Sequence, residues 1–219
     1  RDTWCLLVGN DLMDTSKTVK RRSLTDWLRL RFKWFTEPLG ALIGRLGIHP
    51  NVITVAGLLG NAAGAAALAY GNIPLGGLII LLMGPVDALD GATARASGHK
   101  SSFGAFVDSV TDRYSEAIIF LGLMIHYLRQ PGEDAQALVL IFLAFVGSVM
   151  VSYSKARAEA LNFDANVGWL TRAERYLILA PCLIFNVPMV ALWLIAVLAN
   201  VTALQRIVHV RRQFYKKDK

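Results

Sequence analysis

Two cysteines and four histidines in 219 residues leave little for soft-ligand chemistry. Cys5 and Cys182 stand far apart, and Cys182 lies in an apolar run, so neither a disulfide framework nor a thiolate metal site is expected. Charge is also scarce: Asp, Glu, Lys and Arg make up 18% of the chain, against about 25% in ordinary soluble domains. A hydrophobic share of 54% and a mean hydropathy of +0.44 place the chain in lipid instead. The opening residues lack an initiating Met, and the apolar stretch around Leu6 and Leu7 is too short for a secretory core. Residues 1–22 are expected to be a tail or the remnant of a removed soluble domain.

What is present begins with long apolar runs. Crossing about 30 Å of hydrocarbon takes about 20 residues of helix, and such runs fall near 51–70, 73–94, 103–128, 136–157, 171–186 and 188–208. The expected fold is therefore all-α and integral to the membrane, with six transmembrane helices in a domain spanning 48–210. The connections alternate in charge. Gly71-Asn72, the stretch 129–134 and Asn186-Val187-Pro188 carry one basic residue between them, Arg129. The opposite side holds Lys17, Lys20, Arg21, Arg22, Arg95, Lys100, Lys155, Arg157, Arg172, Arg175 and the basic tail 211–219. Basic residues favour the cytoplasmic face, so both termini are expected there, and the net charge of +7 reads as topology and lipid contact, not nucleic-acid binding. Residues 23–37 mix Leu24, Trp27, Phe32 and Trp34 with Arg29, Arg31 and Lys33, the composition of an amphipathic helix lying in the headgroup plane. Pro38, Gly44, Gly47 and Pro50 are expected to break it before the first span.

Carboxylates inside a membrane are expensive and mark function by default. Asp87 and Asp90 are three apart near the cytoplasmic end of the second span, and Asp108 and Asp112 are four apart near the start of the third. Both spacings put a pair on one helix face, so two antiparallel helices aim four carboxylates at one point. Such a cluster repels itself unless divalent cations compensate. All-oxygen ligation suits Mg²⁺ or Mn²⁺ better than Zn²⁺, and no His or Cys stands at ligand spacing nearby. Gly91 and Gly104 flank the pairs, either to admit a ligand close to the backbone or simply to pack helices. Arg95 is placed to meet a phosphate, and Pro85 is expected to kink the second span.

The full string is Asp87-x2-Asp90-Gly91-x2-Ala94-Arg95-x8-Gly104-x3-Asp108-x3-Asp112. It resembles the CDP-alcohol phosphotransferase signature at all eight specified positions, and Pro50-Asn51-Val52-Ile53-Thr54 is similar to that family's start of its first span. The resemblance covers about residues 24–210. It implies transfer of a substituted phosphoryl group from a CDP-linked donor to an alcohol, with release of CMP and two divalent ions held by the aspartates. On this resemblance Asp87, Asp90, Asp108 and Asp112 are the metal ligands and Asp112 is also the general base. Asn51, Thr54, Gly91, Ala94, Arg95 and Gly104 would line the CDP-donor pocket, and a homodimer is the family expectation. The small residues from Gly60 to Ala67 suit close helix packing, inside the bundle or between protomers.

The acceptor must be read elsewhere. Lys155, Arg172 and Arg175 lie near the cytoplasmic boundary, where single basic residues often only snorkel to headgroups. Together they suit a phosphate, gripped by Arg forks while a free hydroxyl points at the metals. The strings Ser152-Tyr153-Ser154-Lys155-Ala156-Arg157-Ala158-Glu159 and Arg172-Ala173-Glu174-Arg175 resemble those of phosphatidylinositol-phosphate synthases. The expected reaction moves phosphatidyl from CDP-diacylglycerol to inositol 1-phosphate. Glycerol 3-phosphate as acceptor and CDP-inositol as donor stay open within the family. A cation transporter is the alternative of another class; it would need polar groups along the full depth, whereas the outer halves of the spans are almost purely apolar.

Overall fold

The computed structural model describes residues 36–98, 101–130, 132 and 134–217. Six helices follow in order: α1 (Pro50–Ala69), α2 (Ile73–Ala96), α3 (Ser102–Leu128), α4 (Ala135–Ala160), α5 (Arg172–Ile184) and α6 (Pro188–Lys217). Residues 36–45 form a further helical segment ahead of α1, and no strand occurs among the described residues. Most of the expected interfacial helix 23–37 lies outside the described residues.

Local chemistry sets the helix starts. Pro50 opens α1 in its first turn, where a missing N–H costs nothing, and His49 accepts from the Asn51 N–H at 3.2 Å. Asn72, Ser101 and Asp134 cap α2, α3 and α4 by accepting from Leu75, Gly104 and Ala137. Thr171 and Glu174 close a capping box on α5, with the Thr171 N–H 2.7 Å from the glutamate. Of the expected breakers, Pro38 and Gly44 lie within helical residues 36–45, and the break before α1 comes at 46–49, where Gly47 has φ 72° and Pro50 opens the next helix. Packing overrides the local signal at Pro38 and Gly44. A Cβ on Gly40 would lie 2.7 Å from that of Ala92, so this segment seats directly on α2.

By length and composition four helices qualify as membrane spans, namely α1, α2, α4 and α6. The other two fail for different reasons. α3 carries Asp108, Asp112, Arg113 and Glu116 between residues 108 and 116, and α5 has 13 residues, which is about 20 Å of helix. Yet α5 does not begin level with the end of α2. Arg172 at its start meets Asp87, nine residues before the end of α2, and Leu183 near its far end packs on Gly77, close to the start of α2. α5 therefore runs antiparallel to α2, starting about 14 Å short of the C-terminal end of α2.

The helices pack as a three-helix group, α1 with α2 and α3, and a pair, α4 with α6; α5 touches α2 and α6, and α3 meets α4. Leu68, Ile80, Ile119, Leu123, Ile141, Leu183, Leu192 and Ile195 fill the core. Close approach depends on glycine: a Cβ on Gly122 would lie 2.4 Å from the Ala65 carbonyl oxygen, and one on Gly64 would lie 2.8 Å from Ile80. Part of the small-residue stripe of α1 is thus used inside the chain. Outward surfaces remain apolar, with Leu59, Leu82, Phe142 and Val197 all more than half exposed, as hydrocarbon solvent allows.

Candidate active site

The aspartate pairs sit on α2 and α3, which both pack against α1, and helical residues 36–45 seat on α2 at Ala92 and Thr93. Their helical spacing places Asp87 and Asp90 on α2, and Asp108 and Asp112 on α3. Asp90 is buried and fully engaged: Thr54 Oγ1 donates to Oδ2 at 2.7 Å, and the Gly91 N–H lies 2.5 Å from Oδ1. Thr54 in turn reaches the Pro50 carbonyl at 3.3 Å, which ties the first turn of α1 to the signature.

Asp87 and Asp112 meet through α5. Arg172 Nη2 donates to Asp87 Oδ2 and lies 2.6 Å from Asp112 Oδ1, so one cationic nitrogen is shared by carboxylates from two helices. Asp112 Oδ2 is freer, its one ion-pair contact among the described residues being Arg113 at 3.5 Å. Asp108 is half-buried, within electrostatic reach of Arg172 and Asp87, and forms no ion pair or hydrogen bond among the described residues. No three acidic, His or Cys side chains converge closely enough to hold an ion among the described residues. The donor set still fits a hard divalent cation: it is all oxygen, and the shared Arg172 nitrogen already marks a point where α2 and α3 present carboxylates to positive charge.

Of the expected donor-pocket residues, Asn51 and Gly104 come together, since a Cβ on Gly104 would lie 3.9 Å from Asn51 Oδ1 and 3.2 Å from Ser101 Oγ. Gly91 leaves space toward Arg95, whose Nη1 would be 3.5 Å from an added Cβ. Ala94 is half-buried and Arg95 exposed.

The three expected acceptor residues are not gathered into one free cluster. Lys155 pairs with Glu159 on its own helix at 3.7 Å. Arg175 is buried and grips Glu116 Oε1 through Nε at 3.0 Å and Nη2 at 2.7 Å. Two guanidinium donors stay over, Arg172 Nε and Arg175 Nη1, both buried without a partner among the described residues.

Four contributors escape a reading of the sequence alone. Gly57 gives Asp87 its place, because a Cβ there would lie 2.9 Å from Asp87 Oδ1. Glu116 continues the stripe of Asp108 and Asp112 by one more turn, a signal that was available in the spacing. Asn61, a fully buried amide, accepts from Tyr176 at 2.7 Å and joins α1 to α5. Arg206 is buried on carbonyls of Val151 and Val167, locking the α4–α5 connection to α6.

The structure is thus an all-helical bundle with four apolar helices long enough to span a membrane and acidic pairs on two of its helices. Residues 47–208 match the family model described as CDP-alcohol phosphatidyltransferase, and the chain belongs to that family of transferases. It is 35% identical over 187 residues to an archaetidylinositol phosphate synthase of Pyrococcus horikoshii, covering 85% of this chain and 96% of the relative. It is 34% identical over 215 residues to a phosphatidylinositol phosphate synthase of Streptomyces avermitilis, covering 92% and 88%. The crystal structure of Mycobacterium tuberculosis phosphatidylinositol phosphate synthase with CDP-DAG bound superposes with a TM-score of 0.73 at 30% identity, over 80% of this chain and 92% of that one. The same protein in complex with manganese and citrate gives 0.74 at 30% identity, over 80% and 88%.

Proposed function

We propose that the chain transfers a phosphatidyl group from CDP-diacylglycerol to inositol 1-phosphate and releases CMP. The observation that carries this reading is the shared contact of Arg172 with Asp87 and Asp112, which brings the signature helices and the acceptor-side helix α5 to one point. The names of the relatives support the donor and the acceptor. Asp87, Asp90, Asp108 and Asp112 would hold two Mg²⁺ or Mn²⁺ ions, which supply neutralisation of the donor diphosphate and the leaving CMP. Arg172, which here contacts two of these carboxylates, would be free for the acceptor phosphate where the ions are held.

The residues then divide the work. Asn51, Thr54, Gly91, Ala94, Arg95 and Gly104 bind and orient the CDP group, Thr54 by fixing Asp90. Arg172 and Arg175 take the acceptor phosphate with their spare donors, and Lys155 adds charge at the rim. The acceptor hydroxyl oxygen bonds to the phosphatidyl phosphorus as the bond to the CMP oxygen breaks. The hydroxyl proton passes to Asp112, whose Oδ2 is its freer oxygen.

The same reading sets the topology as six spans in a domain of 48–210, with both termini, the tail 211–219 and the site at the cytoplasmic face, working as a homodimer. Two features support six. α3 has 27 residues, about 40 Å of helix, and buries Asp112 and Glu116 in the bundle. α5 reaches from the level of Asp87 to that of Gly77 and so ends near the outer face.

Acceptor competition tests the assignment. Purified protein with CDP-diacylglycerol and Mn²⁺ is offered inositol 1-phosphate, inositol, glycerol 3-phosphate or serine. CMP release is expected to be fastest with inositol 1-phosphate; preference for another acceptor overturns the proposed substrate.

A further inference from the structure

A surface groove of about 530 Å³ shares no residue with the aspartate site. It lies between the α4–α5 connection and the outer face of α6, and its volume falls within the range of about 300–1,000 Å³ usual for ligand sites. One end is apolar. Val201, Leu204 and Val208 line it along one face of α6, with Leu204 62% and Val208 47% exposed. Trp169 forms the facing wall and is 70% exposed, in keeping with the preference of tryptophan for the membrane interface.

The other end is polar and positive. His209 and Arg212 line it, and neither makes an ion pair or hydrogen bond among the described residues. Gln205 adds a buried Oε1 without a partner there. These groups stand where the apolar run of α6 gives way to Arg211, Arg212 and Lys216, the level of the headgroups.

The wall is built rather than draped. Leu170 N–H donates to Thr202 Oγ1 at 3.1 Å, Arg206 Nε to the Val167 carbonyl at 3.0 Å, and Gln213 holds Asp164 through both its amide atoms. Gly168, with φ 119°, lets the loop approach so closely that a Cβ would lie 2.3 Å from Thr202 Cγ2. The groove is therefore preformed, and its two ends ask for one amphiphile.

We propose that this groove binds a membrane glycerophospholipid with an anionic headgroup, its phosphate on Arg212 and His209 and an acyl chain along Leu204 and Val208. The lipid serves to anchor the α4–α5 connection against α6, apart from the substrate lipid. Charge complementarity selects the occupant: the polar end offers cationic and N–H groups, and the one carboxylate on this stretch of the connection, Asp164, is turned to the Asn166 N–H at 2.9 Å.

Native mass spectrometry of the full chain, purified in neutral detergent and incubated with phosphatidylglycerol or phosphatidylcholine, tests this without any turnover. One phosphatidylglycerol per chain is expected to stay bound, with phosphatidylcholine lost. Arg212→Gln should weaken retention about fivefold, and Leu204→Trp should block it by filling the apolar end. Arg211→Gln, the same change in charge one residue away, should leave retention as in the wild type. Equal retention of both lipids, or equal loss with Arg211→Gln, means only annular lipid and overturns the proposal. Displacement of the lipid by excess inorganic phosphate makes the site a simple anion site, and overturns it too.

Discussion

Removing the Glu116 carboxylate exposes how α5 is held. Glu116 and Arg175 have side chains 8% and 4% exposed, joined by bonds of 2.7 and 3.0 Å between helices 59 residues apart in sequence. Glu116→Ala leaves a buried guanidinium without its counter-charge, and breaking one side of such a pair costs about 3–5 kcal/mol. For a chain of this size that corresponds to a drop of about 6–20 °C in the unfolding midpoint. Replacing both residues by Met removes the stranded charge along with the pair, so Glu116→Met with Arg175→Met should recover most of the loss. Unfolding of the purified protein in detergent, followed by tryptophan fluorescence, measures each variant. The same double variant should still raise the acceptor KM, because the proposed phosphate donor of Arg175 is gone while the fold is intact. A midpoint for Glu116→Ala within about 2 °C of wild type, or a double variant no better than the single, refutes the pair as the clamp of α5 on α3.

Further outcomes follow from the contacts around the aspartates. Asp112→Asn should keep CDP-diacylglycerol binding and Mn²⁺ on the main ligands Asp87, Asp90 and Asp108, and lower kcat by about a hundred- to ten-thousandfold, the range of a lost general base; retained turnover removes Asp112 from that role. Arg172→Ala should bind Mn²⁺ more tightly in an electron paramagnetic resonance titration, since Asp87 and Asp112 lose their competing cation, while the acceptor KM rises. Unchanged or weaker Mn²⁺ binding would show that Arg172 does not occupy the cation's place. Thr54→Val deletes the 2.7 Å bond that orients Asp90 and should weaken Mn²⁺ binding about 10–100-fold. Gly122→Ala pushes a methyl to 2.4 Å from the Ala65 carbonyl oxygen, and should lower stability by about 1–3 kcal/mol in spite of the better helix propensity of Ala.

Much of the bundle is legible before any coordinates. The connections after α1, α3 and α5 fall at Gly71-Asn72, the 129–134 stretch and Asn186-Val187, as the apolar runs place them, because Gly, Pro and Asn end helices by local chemistry. The aspartate pairs stand on helices at spacings that fix their faces, and the family follows from the same string. Where local signals mislead, a long-range contact has won: Pro38 and Gly44 read as breakers, yet helical residues 36–45 pass through both while Gly40 packs on Ala92. Arg175 reads only as one of a basic group near the membrane boundary, and its burial on Glu116 comes from a residue 59 positions away.

The amino-acid sequence by itself determines which residues share a helix face, since 3.6 residues per turn make Asp87 with Asp90, and Asp108 with Asp112, neighbours wherever their helices lie. It also determines the lipid environment, through apolar runs whose backbone can be satisfied only as helix. Tertiary structure alone decides at which level of α2 the start of α5 falls, and hence that Arg172 sits on Asp87 and Asp112. The reason is that level and partnership come from close approach between distant segments, set by Gly57, Gly77 and Gly122 against their particular neighbours, and no local periodicity encodes which neighbour that is.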